Sequence, residues 1–346
     1  MDQAKLDALR AKYADAKGGD IYDRHFADVA ASVFTAPDRR KWPFADVATF
    51  LDATYRPDAA ATNFAGLDVA LVGVPMDLGV TNRTGARLGP RAVRAVERVG
   101  PYEHALRIAP AGKLRFADVG DVPMQSRFSL EQCHADIEAW YKSLKAAGVI
   151  PLSVGGDHSM TLPILRALGA VEAVGLVHID AHCDTSGEYE GAKFHHGGPF
   201  RLAVLDGVLD PERTIQIGIR GPAEYLWEFS TDSGMTVIHA EEMERLGLDA
   251  VMAEARRVVG GGPTYVTFDI DSIDPALAPG TGTPEVGGLL PREALAIVRG
   301  LAGIDIVGGD VVEVAPQYDA TTATAQIGAQ MLFELLCLVA LRNGAP

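Results

Sequence analysis

From Leu67 onward the chain repeats one pattern: a short run rich in Val and Ile, a turn, then a segment with helical spacing. Runs of strand length fall at 69–72, 149–154, 174–179, 214–219, 236–238, 264–270 and 304–312. Segments 130–147, 162–168, 248–259 and 291–301 carry apolar residues at helical intervals. Strands that are apolar throughout, alternating with helices, cannot leave one sheet face in water. The pattern predicts an α/β fold with a mainly parallel sheet covered by helices on both faces. Residues 331–341 read as a buried C-terminal helix, interrupted by Glu334.

Residues 1–65 lack this rhythm. Segment 2–17 has helical spacing, and the stretches 36–38 and 42–44 read as loop and short helix. We expect 1–65 to be an extension packed on the core or on a neighbouring subunit, and 66–346 to be one catalytic domain. The 31 Lys+Arg against 46 Asp+Glu leave a net charge of −15, which argues against a nucleic-acid or anionic-membrane surface. Neither a signal peptide nor an apolar stretch of ~18 residues is recognisable. The three scattered cysteines, Cys133, Cys183 and Cys337, fit a reducing cytoplasm.

In parallel sheets, ligands gather at the carboxyl ends of strands. Here the run 149–154 leads into Gly155-Gly156-Asp157-His158-Ser159, and 174–179 into Asp180-Ala181-His182-Cys183-Asp184. Run 264–270 holds Asp269 and leads to Asp271 and Asp274, and 304–312 leads to Glu313. In extended chain, residues at i, i+2 and i+4 share a side, so Asp180, His182 and Asp184 point together. Capping of loop amides could explain one such residue. Two unpaired buried carboxylates would be costly, which favours a metal. Asp269 and Asp271 repeat the spacing, and with His158 the donors number six, four of them carboxylates. That set suits two divalent ions better than one zinc. Such a pair, ~3.5–4 Å apart, activates a water molecule between the ions.

The motifs GGDHS (155–159), HIDAHCD (178–184), FDIDSIDPALAPGTGTPEVGG (268–288) and DVVEVAP (310–316) resemble those of the ureohydrolase family, which contains arginase and agmatinase. NRTGARLGP (82–90) and HHGGPF (195–200) extend the likeness from about Leu67 to the end. The resemblance implies a three-layer α/β/α fold, assembly as a homo-trimer or homo-hexamer, and hydrolysis of a guanidino group to urea and an amine. It implies two Mn²⁺ or Ni²⁺ ions held by His158, Asp180, His182, Asp184, Asp269 and Asp271. Asp184 is also implied as acceptor to the attacking oxygen, His196 as proton carrier to the leaving amine and Glu313 as the carboxylate that orients the guanidinium. Imidazole titrates in the range a proton carrier needs. His195 is a rival to His196. His178 reads as a residue holding a ligand, Cys183 as a packed side chain, and Asp274 and Glu285 as loop-fixing groups.

The segment between Asp184 and His195 lacks the Asn and Ser with which arginase-like members hold an amino-acid head group, so arginine is not the expected substrate. Two departures from the agmatinase-like branches, Glu190 for an aromatic and Gly198 for Thr, predict an acidic, roomier pocket mouth bordered by Tyr189. Guanidinopropionate, guanidinobutyrate, agmatine and an N-alkyl guanidine or biguanide such as metformin are the candidates, carboxylates requiring help from Arg83 or Arg87. The competing expectation is a subunit that is inactive alone and works only in a hetero-oligomer.

Overall fold

The computed structural model describes residues 1–16, 21–24, 26–27, 44–97, 99–221 and 227–342. The segment 36–38 and Trp42-Pro43 fall outside them. Two compact units result, Met1–Asp46 and Val47–Pro346. In the first, a helix spans Gln3–Tyr13, and the Asp2 carboxylate accepts the Ala4 amide at 3.3 Å. The second begins at Val47, ahead of the expected start at residue 66. The chain there is already tied to the sheet: the Phe50 amide donates to Asp118 Oδ2 (3.0 Å), and the Arg56 amide to the Asp118 carbonyl (2.7 Å).

Eight strands form one sheet: β1 (Val69–Val74), β2 (Phe116–Asp121), β3 (Ile150–Gly155), β4 (Val174–Ile179), β5 (Leu209–Ile219), β6 (Thr236–His239), β7 (Thr264–Asp269) and β8 (Ile306–Val312). Their order is β2-β1-β3-β8-β7-β4-β5-β6, and every neighbouring pair is parallel. β2 escaped the reading of apolar runs because an edge strand with acids at 118 and 121 has none. Its buried Asp118 is held by Arg94 at 2.8 Å.

Side-chain alternation along β1 divides the interior. Val69 and Leu71 join a core with Val251, Met252, Ile297, Val298 and Leu332, from the helices Leu248–Val259, Pro291–Gly300 and Ala323–Ala340. Ala70, Val72 and Val74 face the opposite core, with Ile137, Tyr141, Ile164 and Phe200 from Leu130–Ala146, Thr161–Leu168 and Pro199–Leu205. The fold is therefore a three-layer α/β/α sandwich, as expected. The helix Ala323–Ala340 is long and apolar enough to cross a membrane, but most of it is buried in this body.

The order places β3, β8, β7 and β4 side by side at the centre. The four strand ends singled out in the sequence are thus neighbours, and their side chains meet above one edge of the sheet.

Candidate metal centre and active site

The His158 Nδ1 atom lies 3.1 Å from Asp180 Oδ2, 3.0 Å from Asp184 Oδ2 and 3.3 Å from Asp269 Oδ2, all four side chains being buried. Beside them His182 Nδ1 lies 3.1 Å from Asp271 Oδ2 and 3.5 Å from Asp180 Oδ1. All six expected ligands are therefore brought together, in two groups that share Asp180. Short backbone contacts fix the carboxylates: the Asp271 amide donates to Asp269 Oδ1 (2.8 Å), and the His182 amide to Asp180 Oδ1 (2.7 Å). Asp184 is held in the left-handed region, φ 51°, a cost of about 1–3 kcal/mol tolerated where the surroundings over-determine it.

The electrostatics ask for cations. Burial, then the charges of Asp271 and Asp180, push the Asp269 carboxyl well above the usual range. Burial alone opposes an imidazolium at His158, yet Asp180, Asp184 and Asp269 outweigh it and raise its pKa well above the ordinary value. Among the described residues no Lys or Arg side chain pairs with these four carboxylates.

The hydrogen bonds around His158 decide which of its nitrogens carries the proton. The Thr267 hydroxyl gives its one proton to Asp310 Oδ1 (2.5 Å), so it accepts from His158 Nε2–H at 2.8 Å. In the neutral ring Nδ1 is then the lone-pair nitrogen, buried with no hydrogen-bond partner among the described residues and surrounded by three carboxylate oxygens. A lone pair among anions is a metal ligand awaiting a cation, and an oxygen-rich set with two imidazoles accepts Mn²⁺ or Ni²⁺. Asp310, fully buried, also accepts from Thr161 (2.8 Å) and the Tyr265 hydroxyl (2.8 Å). His178 holds a ligand, as expected. Gln216 Nε2 donates to its Nδ1 (2.9 Å), and its Nε2–H donates to Asp180 Oδ2 (2.6 Å).

Glu313 stands past β8, again in a left-handed conformation, φ 62°. Its Oε1 accepts from the His158 amide (2.9 Å) and from His196 Nδ1 (2.9 Å). Its Oε2 is buried with no hydrogen-bond partner among the described residues. Burial disfavours a charged His196, but Glu313, and after it Asp184 and Asp157, raise the ring's pKa to about 9.

The Arginase family profile matches residues 67–337. The chain belongs to the arginase family. It is 52% identical over 301 residues to guanidinopropionase from Pseudomonas aeruginosa, covering 86% of this chain and 93% of that one. The mitochondrial agmatinase of Gallus gallus is 48% identical, covering 80% of this chain and 83% of its own length. Among solved structures, proclavaminate amidino hydrolase from Streptomyces clavuligerus superposes with a TM-score of 0.82 at 35% identity, over 87% of this chain and 99% of that one.

The residues expected at the pocket mouth, Tyr189, Glu190 and Gly198, are held differently from the six expected ligands. Tyr189–Ala192 is a tight hairpin turn closed by two backbone bonds (3.1 and 2.8 Å), with Glu190 at φ 48° and exposed at its tip. Tyr189 is 52% exposed. Gly198 opens no space: a Cβ there would meet the Ser186 carbonyl at 3.0 Å and His195 Nε2 at 3.2 Å. His195 is buried and bonded to the Gly187 carbonyl (2.7 Å), so it braces the loop and is not a surface histidine.

Both candidate arginines already hold partners through part of their guanidinium groups. Arg83 donates to the carbonyls of Thr281 (2.8 Å) and Gly282 (3.3 Å) and stacks on Tyr318. Arg87 pairs with Asp77 beside a cavity of about 280 Å³ that none of the six ligands lines. Asp274 fixes its loop through the amides of Ala276, Gly287 and Gly288, while Glu285 Oε1 lies 3.9 Å from His182. Buried Cys183 has its thiol pKa raised by burial. The sequence reading missed Arg220, which gathers the carbonyls of Gly218, Asp271, Ser272, Glu285 and Val286 and so locks the Asp271 loop.

Proposed function

We propose that this enzyme hydrolyses a compact guanidino acid of the guanidinopropionate type, releasing urea and an amine. It is a ureohydrolase, acting on guanidino C–N bonds. The observation that carries the reading is Glu313 Oε2, a buried carboxylate oxygen with no hydrogen-bond partner among the described residues, beside the six-ligand cluster. A guanidinium offers it a charge-assisted N–H donor. Gly282 lies close to the same atom, a Cβ there being 3.8 Å from Oε2.

His158, Asp180, Asp184 and Asp269 would hold one cation, and Asp180, His182 and Asp271 the other. Bound there, Mn²⁺ or Ni²⁺ would supply a nucleophilic oxygen near neutral pH and offset negative charge in the transition state. Glu313 turns the guanidinium carbon towards the carboxylate cluster. As water's oxygen adds and the C–N bond breaks, urea keeps the oxygen and the amine leaves with a proton. His196, hydrogen-bonded to Glu313, carries that proton.

The preference for a guanidino acid is supported by the 52% identity to guanidinopropionase. Gly198 adds no room for an alkylated biguanide, so that alternative rests on the Glu190 charge alone. Tyr189, with Glu190 at the hairpin tip, borders the variable end of the substrate.

The test is urea release by metal-stripped protein reloaded with Mn²⁺ or Ni²⁺. The panel is guanidinopropionate, guanidinobutyrate, agmatine, arginine and metformin, with sedimentation velocity to read the expected homo-trimer or homo-hexamer. The guanidino acids should give urea fastest and arginine slowest. Agmatine or metformin first would overturn the substrate class. Two bound metals with no urea would favour the partner-dependent subunit.

A further inference from the structure

His196 is gripped by two backbone groups and two side chains. The segment after β1 is fastened by the Gly79 amide to Asp157 Oδ2 (2.8 Å), and the Gly79 carbonyl accepts the His196 amide (2.8 Å). Two residues on, the Thr81 amide donates to His196 Nε2 at 3.1 Å, with the Thr81 hydroxyl 2.7 Å from the same nitrogen. The other ring nitrogen faces Glu313 Oε1 at 2.9 Å.

An amide N–H can only donate. Nε2 of the neutral ring must therefore present its lone pair to Thr81, and the ring proton sits on Nδ1, aimed at Glu313. With both nitrogens engaged, a proton reaches Nε2 only through a group that can both give and take one. The Thr81 hydroxyl is such a group, and Thr81 is exposed while His196 is 7% exposed.

We propose that Thr81 is the positioning and relay residue of His196: its amide selects the Nδ1–H tautomer, and its hydroxyl connects Nε2 to bulk water. As Nδ1–H is given up towards Glu313 and the leaving amine, Nε2 takes a proton from Thr81 Oγ1, which takes one from water. Thr81 ends unchanged, and one proton has passed from solvent to amine. The reverse passage carries the proton lost by the attacking water back out and restores the first tautomer. The charged groups facing the ring are Glu313 past β8, Asp184 past β4 and Asp157 past β3. They stabilise the imidazolium through which the proton passes.

The rate arm of the test rests on the guanidino-hydrolase reading. Thr81→Val keeps the amide and removes the hydroxyl. It should lose kcat roughly tenfold to a hundredfold with KM unchanged, and small imidazole buffers should restore the rate. Thr81→Ser should keep both rate and pH profile. A valine variant with the parent's kcat, or a loss that no buffer restores, would overturn the relay.

The second arm needs no substrate. With ¹⁵N-histidine labelling, and His196→Asn to assign the signal, the neutral ring above its pKa should give the Nδ1–H pattern in the parent. An Nε2–H tautomer there overturns the positioning role. A parent that releases no urea overturns the relay together with the functional reading, whereas the tautomer result separates the two.

Discussion

The floor and the rim of this site are built by different rules. On the floor, His158, Asp180, Asp269 and Asp271 sit at strand ends, buried and fixed by amides and neighbouring side chains. On the rim, residues 187–193 are exposed, and the Tyr189–Ala192 turn is closed by two bonds of its own backbone and touched by the His195 ring. An atom held by several partners cannot drift, so the floor fixes the reaction. A turn with few outside contacts can change shape or sequence without disturbing the sheet, so the rim can tune the substrate. Mutations should separate the two: floor changes should destroy metal binding or kcat, and rim changes should move KM and substrate order.

The largest effect should come from Asp180, which serves both ligand groups. Asp180→Ala should empty both cation positions and reduce urea release by about 10³-fold or more, several kcal/mol of transition-state stabilisation. Metal analysis of the purified variant checks it. A variant that keeps two metals would show that the groups do not share this residue.

Glu313→Gln should leave metal content intact and lower kcat/KM by about 10²–10³-fold, the range for losing one preorganised charge-stabilising group. It carries a pH signature as well. Removing the carboxylate takes away the largest influence raising the His196 pKa, so that pKa should fall below about 9. Any limb of the rate profile that follows the ring should move to lower pH. An unmoved profile would separate His196 from catalysis.

Thr267→Val sharpens the comparison from inside the floor. It breaks the Asp310–Thr267–His158 chain without touching a ligand atom, and it leaves the buried Asp310 with one hydroxyl fewer. Metal affinity should fall about 10–100-fold, read by titration of the metal-stripped protein. Equal affinity would mean that packing alone orients His158.

Thr267 also marks where the sequence stops being legible. Asp180, His182 and Asp184 could be read as a cluster because strand geometry has period two and all three lie within five residues. Thr267 and Asp310 are 43 residues apart and meet only because β7 and β8 pair in a register that sets them opposite each other. Arg220 likewise works through carbonyls, which carry no residue identity, so no motif announces it. Gly198 failed in the other direction. Its missing side chain read as pocket space, but that volume holds the Ser186 carbonyl and the His195 ring. The fold was plain from apolar rhythm except at β2, where Asp118 and Asp121 break the run at a sheet edge.

The smallest effect should lie on the rim, and it tests the comparison most directly. Glu190 holds φ 48° at the tip of the turn, a region costly for residues with a Cβ and natural for glycine. Glu190→Gly relieves that strain but frees the unfolded chain, so net stability should move by about 1 kcal/mol or less. If the substrate is the proposed guanidino acid, it also removes one negative charge near the substrate's carboxylate. KM for guanidinopropionate should fall a few-fold, by roughly 1 kcal/mol of reduced like-charge repulsion near the surface, while kcat stays constant. Raising the salt concentration should shrink the difference between variant and parent, since exposed charges are screened within about 10 Å at 0.1 M ionic strength. If kcat falls instead, the turn is coupled to His196 through the loop from Asp184 to Phe200, and the rim belongs to the catalytic machinery.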